Sequence, residues 1–266
     1  MTHRWRMPAA MLLALLLMAG AVHAQGRGAP QGPPATGRDA APIDLTGYWV
    51  AEITEDWRWR MVTPAKGDYQ SVPITPAAQM AADAWDPAKD TAAGEQCRAY
   101  GAPILMRTPT RLNITWQDNN TISVQTDNGQ QTRLLHFGDW TPPGGAPTWQ
   151  GDSVARWVTA AGVTLRPVAA TRDNAARAPN AFGSLEVVTT NLRPGYLRKN
   201  GIPYSADTVY TEIWDVIKES NGDTRILILL QVNDPVNLQT PWIVPVHFKK
   251  EPDGSKWDPT PCSSTW

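Results

Sequence analysis

The side chains able to do chemistry are few and widely spaced. Beyond residue 24 the only histidines are His136 and His247. His136 closes an alternating run, "QQTRLLHF", on the same side as Leu134; facing the interior there, it is either a core or rim histidine satisfied by backbone or the candidate general base. His247 lies opposite Val246 and Phe248 and so faces away from the apolar side of its strand. The segment "RPGYLRKNGIPY" gathers Arg193, Tyr196, Arg198 and Tyr204 in a loop between strands, where binding groups often sit; the alternative is a twisted turn whose aromatics cover one barrel end. Tyr196 or an arginine could steady a developing negative charge. The stretch "DWRWRM", Asp56 to Met61, alternates two indoles with two guanidiniums. On a strand this sets Trp57 and Trp59 on one face and Arg58 and Arg60 on the other. The expected arrangement is indoles inward and guanidiniums toward solvent, with the reverse open if an anion needs an arginine inside a barrel.

Several kinds of chemistry lack their signatures. There is no glycine-rich phosphate loop, no H-E-x-x-H, no C-x-x-C and no G-x-S-x-G. Two cysteines, Cys97 and Cys262, read most simply as one disulfide in an oxidising compartment; two thiols or a metal site are the alternative. No metal or cofactor is expected. The charges are nearly balanced and form no basic run, so no nucleic-acid footprint is indicated.

The elements that must position these groups are mostly strands. "IDLTGYWVAEI" alternates Trp49, Ala51 and Ile53 against Tyr48, Val50 and Glu52, and the apolar phase continues through Trp57, Trp59 and Met61. Gly47 to Met61 as one strand would span roughly 50 Å at about 3.3 Å per residue, so a bend is expected near Thr54 to Asp56. "ITPAAQMAADAWDP" is the one predicted helix, capped by Thr75, begun by Pro76 and stopped by Pro87. "RLNITWQ", which carries Trp116, then "TISVQTD" and "QQTRLLHF" form a three-strand meander. "TWQGDSVARWV" pairs with "GSLEVVTTNL", and "TVYTEIWDVIKE" with "TRILILLQV" across "SNGD". "PWIVPVHFKK" is the last strand, with Pro245 suggesting an edge. The expected fold is mostly β: an antiparallel lipocalin-like barrel or strongly curved sheet of about 9–10 strands with one short helix.

The start of the chain has a basic end, an apolar run from Met11 to Val22 and small residues before Gln25: a secretory signal peptide over 1–24. No membrane insertion is expected after its removal, and the location read from it is periplasmic or secreted. Residues 25–42, rich in Gly, Pro and Ala, read as a disordered leader. A single domain over 43–266 follows, with a surface insertion over 158–181. After cleavage twelve tryptophans remain, a large apolar surface with polar tips.

"DLTGYWV" resembles the G-x-W opening of lipocalins and other calycins, whose tryptophan plugs one end of an up-and-down barrel. No late-strand arginine matches the one that covers that tryptophan in those proteins. Further along, "CRAYGAP", "PTWQGDSVARW", "GSLEVVTTN", "NGIPYS", "TE", "VNDP" and "PW" follow the order seen in a widespread, functionally uncharacterised family of secreted bacterial β-rich proteins. The chain departs from that family after Trp157, where Val158 opens the insertion. This second resemblance implies a secreted β-rich fold and transfers no catalytic residue.

The function expected from these features is binding of a small apolar or aromatic molecule in an indole-lined cavity, with Trp57, Trp59, Trp116, Arg193, Tyr196 and Tyr204 as contacts. A cofactor-independent barrel enzyme, a hydrolase, lyase or isomerase with His136 or a buried Glu as base, is the alternative. An envelope interaction module is the third.

Overall fold

Strict alternation of apolar and polar residues shapes the longest strands, and their apolar phases all turn into one lumen. The computed structural model describes residues 36–158 and 183–265. Within it β1 (Gly47–Glu52), β2 (Arg111–Asp118), β3 (Thr121–Thr126), β4 (Thr132–His136), β5 (Asp152–Val158) and β6 (Ser184–Thr190) lead to a two-stranded ribbon of β7 (Gly195–Tyr196) and β8 (Pro203–Tyr204). β9 (Val209–Lys218), β10 (Thr224–Asn233) and β11 (Trp242–Lys250) complete the strands of the described residues. Nine of them close a barrel in the order β1-β11-β10-β9-β6-β5-β4-β3-β2, which leaves no open edge. The fold is therefore a mostly β, lipocalin-like barrel.

The β2–β3–β4 meander, the β5–β6 pair and the β9–β10 hairpin stand as their sequences predict. One pairing breaks the antiparallel expectation. β4 and β5 run parallel, matched only at Leu135 with Ser153 and His136 with Val154. The 15-residue connection over 137–151 permits this, because a parallel neighbour requires a crossover that a tight turn cannot make. β11 is not an edge strand, since β1 and β10 flank it. Pro245 is accommodated because it lies past the Glu52–His247 match, where β1 has ended.

Trp49, Leu112, Ile114, Val124, Leu135, Ala155, Val187, Trp214, Ile228 and Val246 fill the lumen. Burying each large apolar side chain contributes roughly 1.5–3 kcal/mol. The indole N–H of Trp49 donates to the Leu45 carbonyl at 2.9 Å, and Lys250 brings its ammonium to 5.1 Å from the ring. A late-strand lysine, opposite Trp49 in register, thus supplies the covering cation that no arginine matched.

The helices of the described residues collect at one end of the barrel. α1 (Trp57–Arg60), α2 (Pro76–Asp83), α3 (Pro87–Ala92), a 3-10 turn (Gln96–Tyr100) and α4 (Ala102–Leu105) fall between β1 and β2, and the β7–β8 ribbon between β6 and β9 joins them there. Among the described residues four short helices stand where one was predicted. The predicted one, α2, is capped as expected, with Thr75 accepting from the Ala78 N–H at 3.2 Å. The disulfide Cys97–Cys262 ties this cap to the C-terminal tail. Among the described residues no helix is long and apolar enough to cross a membrane.

At the opposite end Thr36–Ala41, expected within the leader, is ordered against the barrel. The Gly37 carbonyl accepts from the Trp157 indole at 2.7 Å, and the Gly37 N–H donates to Asn120 at 2.7 Å. A Cβ on Gly37 would come within 2.6 Å of the Phe137 ring, so glycine permits the close approach. The expected signal peptide, the first part of the expected leader and the insertion expected beyond Val158 lie outside the described residues.

Candidate functional site at the capped end

"DWRWRM" is not a strand. The bend expected near Thr54 to Asp56 is present, and Asp56 adopts φ 53°, a left-handed conformation that Asp tolerates better than most residues. The chain then makes the single turn of α1. Residues two apart on a helix are about 200° apart around its axis, so the alternation no longer sorts indoles from guanidiniums. Trp57 is 65 % exposed, Trp59 is half-buried, Arg58 is exposed and Arg60 is only 2 % exposed. The expectation of indoles inward and guanidiniums outward is corrected for Trp57 and Arg60, with Met61 exposed as well, while Arg58 stands outward as expected.

Arg60 is held by Glu55 and by the Arg107 carbonyl, which accepts from its Nε at 2.9 Å. Arg107 follows α4; its Nη2 reaches Asp56 at 2.8 Å and its guanidinium lies 4.9 Å from the centre of the Trp242 ring. Arg198 and Lys199 come from the turn between β7 and β8, where Gly201 has φ +86°. A Cβ there would meet Trp85 at 2.2 Å, so the turn requires glycine. Asn200 anchors this turn to the segment after α1, donating to the carbonyls of Ala65 and Asp68 at 3.1 and 3.0 Å. Trp59, Arg60, Ile104, Arg107, Thr108, Leu197, Arg198 and Lys199 line one cleft. Two guanidiniums, Arg58 and Arg198, lie over the Trp59 ring at 4.5 and 4.7 Å.

Burial and mutual repulsion act on these cations. Burial, then the Arg107 charge, bring both Arg60 and Arg198 down to about 10. Arg107 is lowered by burial, against the opposing pull of Asp56. Burial takes Lys199 down to about 7; its ammonium bonds the Tyr100 hydroxyl at 2.7 Å.

The other residues singled out from the sequence divide between the two ends. Tyr196 and Tyr204 are buried in the cap. The Tyr196 hydroxyl donates to Asp90 at 2.9 Å with Arg98 over its ring, while Tyr204 is seated against Gly101 and Gly195. Arg193 is exposed, bonded to Glu95 at 2.5 Å and stacked over Trp149 at 4.2 Å. Trp116 sits at the far end of the barrel, 5.5 Å from Phe137, whose ring stacks on Trp157 at 5.2 Å. His136 is also at that end. Leu134 is exposed, and Arg133 and Leu135 turn inward instead, so His136 faces outward and the expected interior base is corrected. Its ring stacks on Trp140 at 4.1 Å; burial lowers its pKa against the pull of Asp118 and Asp152.

Sequence reasoning missed the polar core of the lumen. Arg133 meets Glu212 there, surrounded by Tyr210, Thr189 and Ser153. The one available signal was Glu212 on the apolar phase of "TVYTEIWDVIKE", where an inward carboxylate demands a buried cation. Among the described residues no group of three His, Cys, Asp or Glu side chains is placed to hold a metal. Comparisons with protein-family models, curated proteins and solved structures found no match for this chain.

Proposed function

We propose that this protein is a secreted or periplasmic lipocalin-like barrel that binds a small molecule at its capped end. The observation that carries the reading is the cleft lined by Trp59, Arg60, Arg107, Arg198 and Lys199, where an indole and several buried cations from three separate segments converge. Structural arginines on a protein surface are ordinarily solvated or paired, whereas convergent buried polar groups beside an aromatic ring are the usual lining of a ligand site. The ligand is placed at the cap rather than in an indole-lined lumen, because the inward indoles Trp49 and Trp214 are packed as core. The disulfide is in keeping with an oxidising compartment.

Native mass spectrometry of the protein purified from its own host tests this. A co-purifying small molecule that is lost on mutating the cleft is the expected result. Protein that emerges without any adduct, and whose indole fluorescence is indifferent to an extract of the host's small molecules, would count against a binding role.

A further inference from the structure

At the capped end the guanidiniums outnumber the carboxylates that face them. Arg58, Arg60, Arg107 and Arg198 stand against Glu55, Asp56 and Asp68, and three of the four are buried. Arg60 uses Nη1 on Glu55 and Nε on a carbonyl, which leaves Nη2 without an acceptor. Arg107 uses Nη2 on Asp56 and leaves Nη1. Arg198 uses Nη2 on Ser71 at 2.8 Å and leaves Nε and Nη1. The three side chains are no more than 3 % exposed. A buried N–H with no acceptor has given up its water without a replacement, so four such nitrogens on one cleft require an explanation. Arg107 also repels both Arg60 and Arg198, and negative charge among them would relieve that repulsion.

Resting on the binding role proposed above, we infer that the cleft seats an oxyanion: a carboxylate or phosphate group on a small ligand places an oxygen among Arg60, Arg107 and Arg198. Guanidiniums suit this task because their planar forks match both groups and hold their charge. The free volume of about 10 Å³ is that of one water-sized body, so a single oxygen enters while the rest of the ligand stays at the mouth beside Trp59. An aromatic or apolar body on the ligand would meet that indole.

Calorimetric titration of the exported chain at low ionic strength, with benzoate, phenyl phosphate and benzyl alcohol as probes and sodium chloride as competitor, tests the assignment. At least one of the two anions should bind about tenfold or more tightly than the alcohol, and the tighter of them identifies carboxylate or phosphate as the group. Arg198→Met, which orphans no carboxylate hydrogen bond, should weaken that anion about tenfold or more. If this variant does not fold, Arg198→Lys keeps the charge and should weaken binding about threefold or more through the lost fork. Equal binding of the alcohol, binding of chloride without either oxyanion, or oxyanion affinity indifferent to the folded Arg198 variant would overturn the inference. A neutral molecule co-purifying from the host would also overturn it while leaving the binding role intact.

Discussion

Arg133 and Glu212 meet inside the closed barrel, both fully buried, with Nη1 and Nη2 of the guanidinium donating to the two carboxylate oxygens at 3.0 and 2.6 Å. They stand on β4 and β9, with β5 and β6 between them in the barrel, and Thr189 accepts a further bond from Arg133 at 3.3 Å. The Tyr210 hydroxyl donates to Glu212 at 3.1 Å. The pair is thus a fork-to-fork contact in low dielectric, and the carboxylate is engaged rather than available as a base.

Removing one partner strands the other charge in the lumen. Arg133→Met or Glu212→Leu alone should cost about 3–5 kcal/mol, whereas the double variant should cost much less than their sum because no buried charge remains. Urea unfolding of the three variants checks this. Additive losses would show that the two groups do not depend on one another.

The α1 turn reverses the stability ranking that an extended "DWRWRM" implies. Trp57→Ala should change stability by under about 0.5 kcal/mol, since the indole stands in solvent. Arg60→Ala should cost about 1–3 kcal/mol through the lost bonds to Glu55 and the Arg107 carbonyl. Denaturant midpoints for the two variants decide it, and a larger loss at Trp57 would place that indole in the core.

Lys199 makes stability depend on pH in a definite direction. Its folded pKa, about 7, is below its ordinary value of 10.5, so between these limits the unfolded chain holds a proton that the folded one has released. Its contribution to stability therefore rises with pH through that window, by at most about 1.4 kcal/mol per unit. Lys199→Met should flatten the rise in thermal midpoint between about pH 7 and 9.5. Tyr69 acts in the opposite sense at higher pH, since burial pushes it up to about 12 and its contribution falls as pH climbs past 10.

Opening the disulfide should be expensive. Cys97 and Cys262 are 165 residues apart, and the tail they hold contacts Gly129 and Tyr100. In the chain-entropy picture so long a loop is stabilised by roughly 4–5 kcal/mol. The Cys97→Ser/Cys262→Ser double variant should unfold at correspondingly lower urea. An unchanged midpoint would mean that the cap holds the tail without the bridge.

His136→Ala should leave ligand binding at the cap unaltered, because the imidazole lies at the other end of the barrel, on its outer side against Trp140. Loss of binding in a folded variant, followed by the same titrations, would move the site to that end.

Local chemistry carried the sequence reading wherever neighbours in the chain decide the outcome. Thr75 and Pro76 start α2 through contacts within four residues, "SNGD" turns β9 into β10, and the alternation in "TVYTEIWDVIKE" already faces Tyr210, Glu212 and Trp214 the same way. The cysteines paired as expected because only two exist. Alternation failed where a distant group changes what it costs to bury a side chain. In "TRLLH" the leucine at 134 stays outside and Arg133 goes in, since Glu212, 79 residues away, neutralises the guanidinium. In "DWRWRM" a bend at Asp56 and the carbonyl of Arg107, 47 residues from Arg60, draw in an arginine while Trp57 is left in water. The parallel match of β4 with β5 depends likewise on closure of the whole barrel. A charge is placed inside or outside by the partner waiting there, and that partner is brought near only by the tertiary fold.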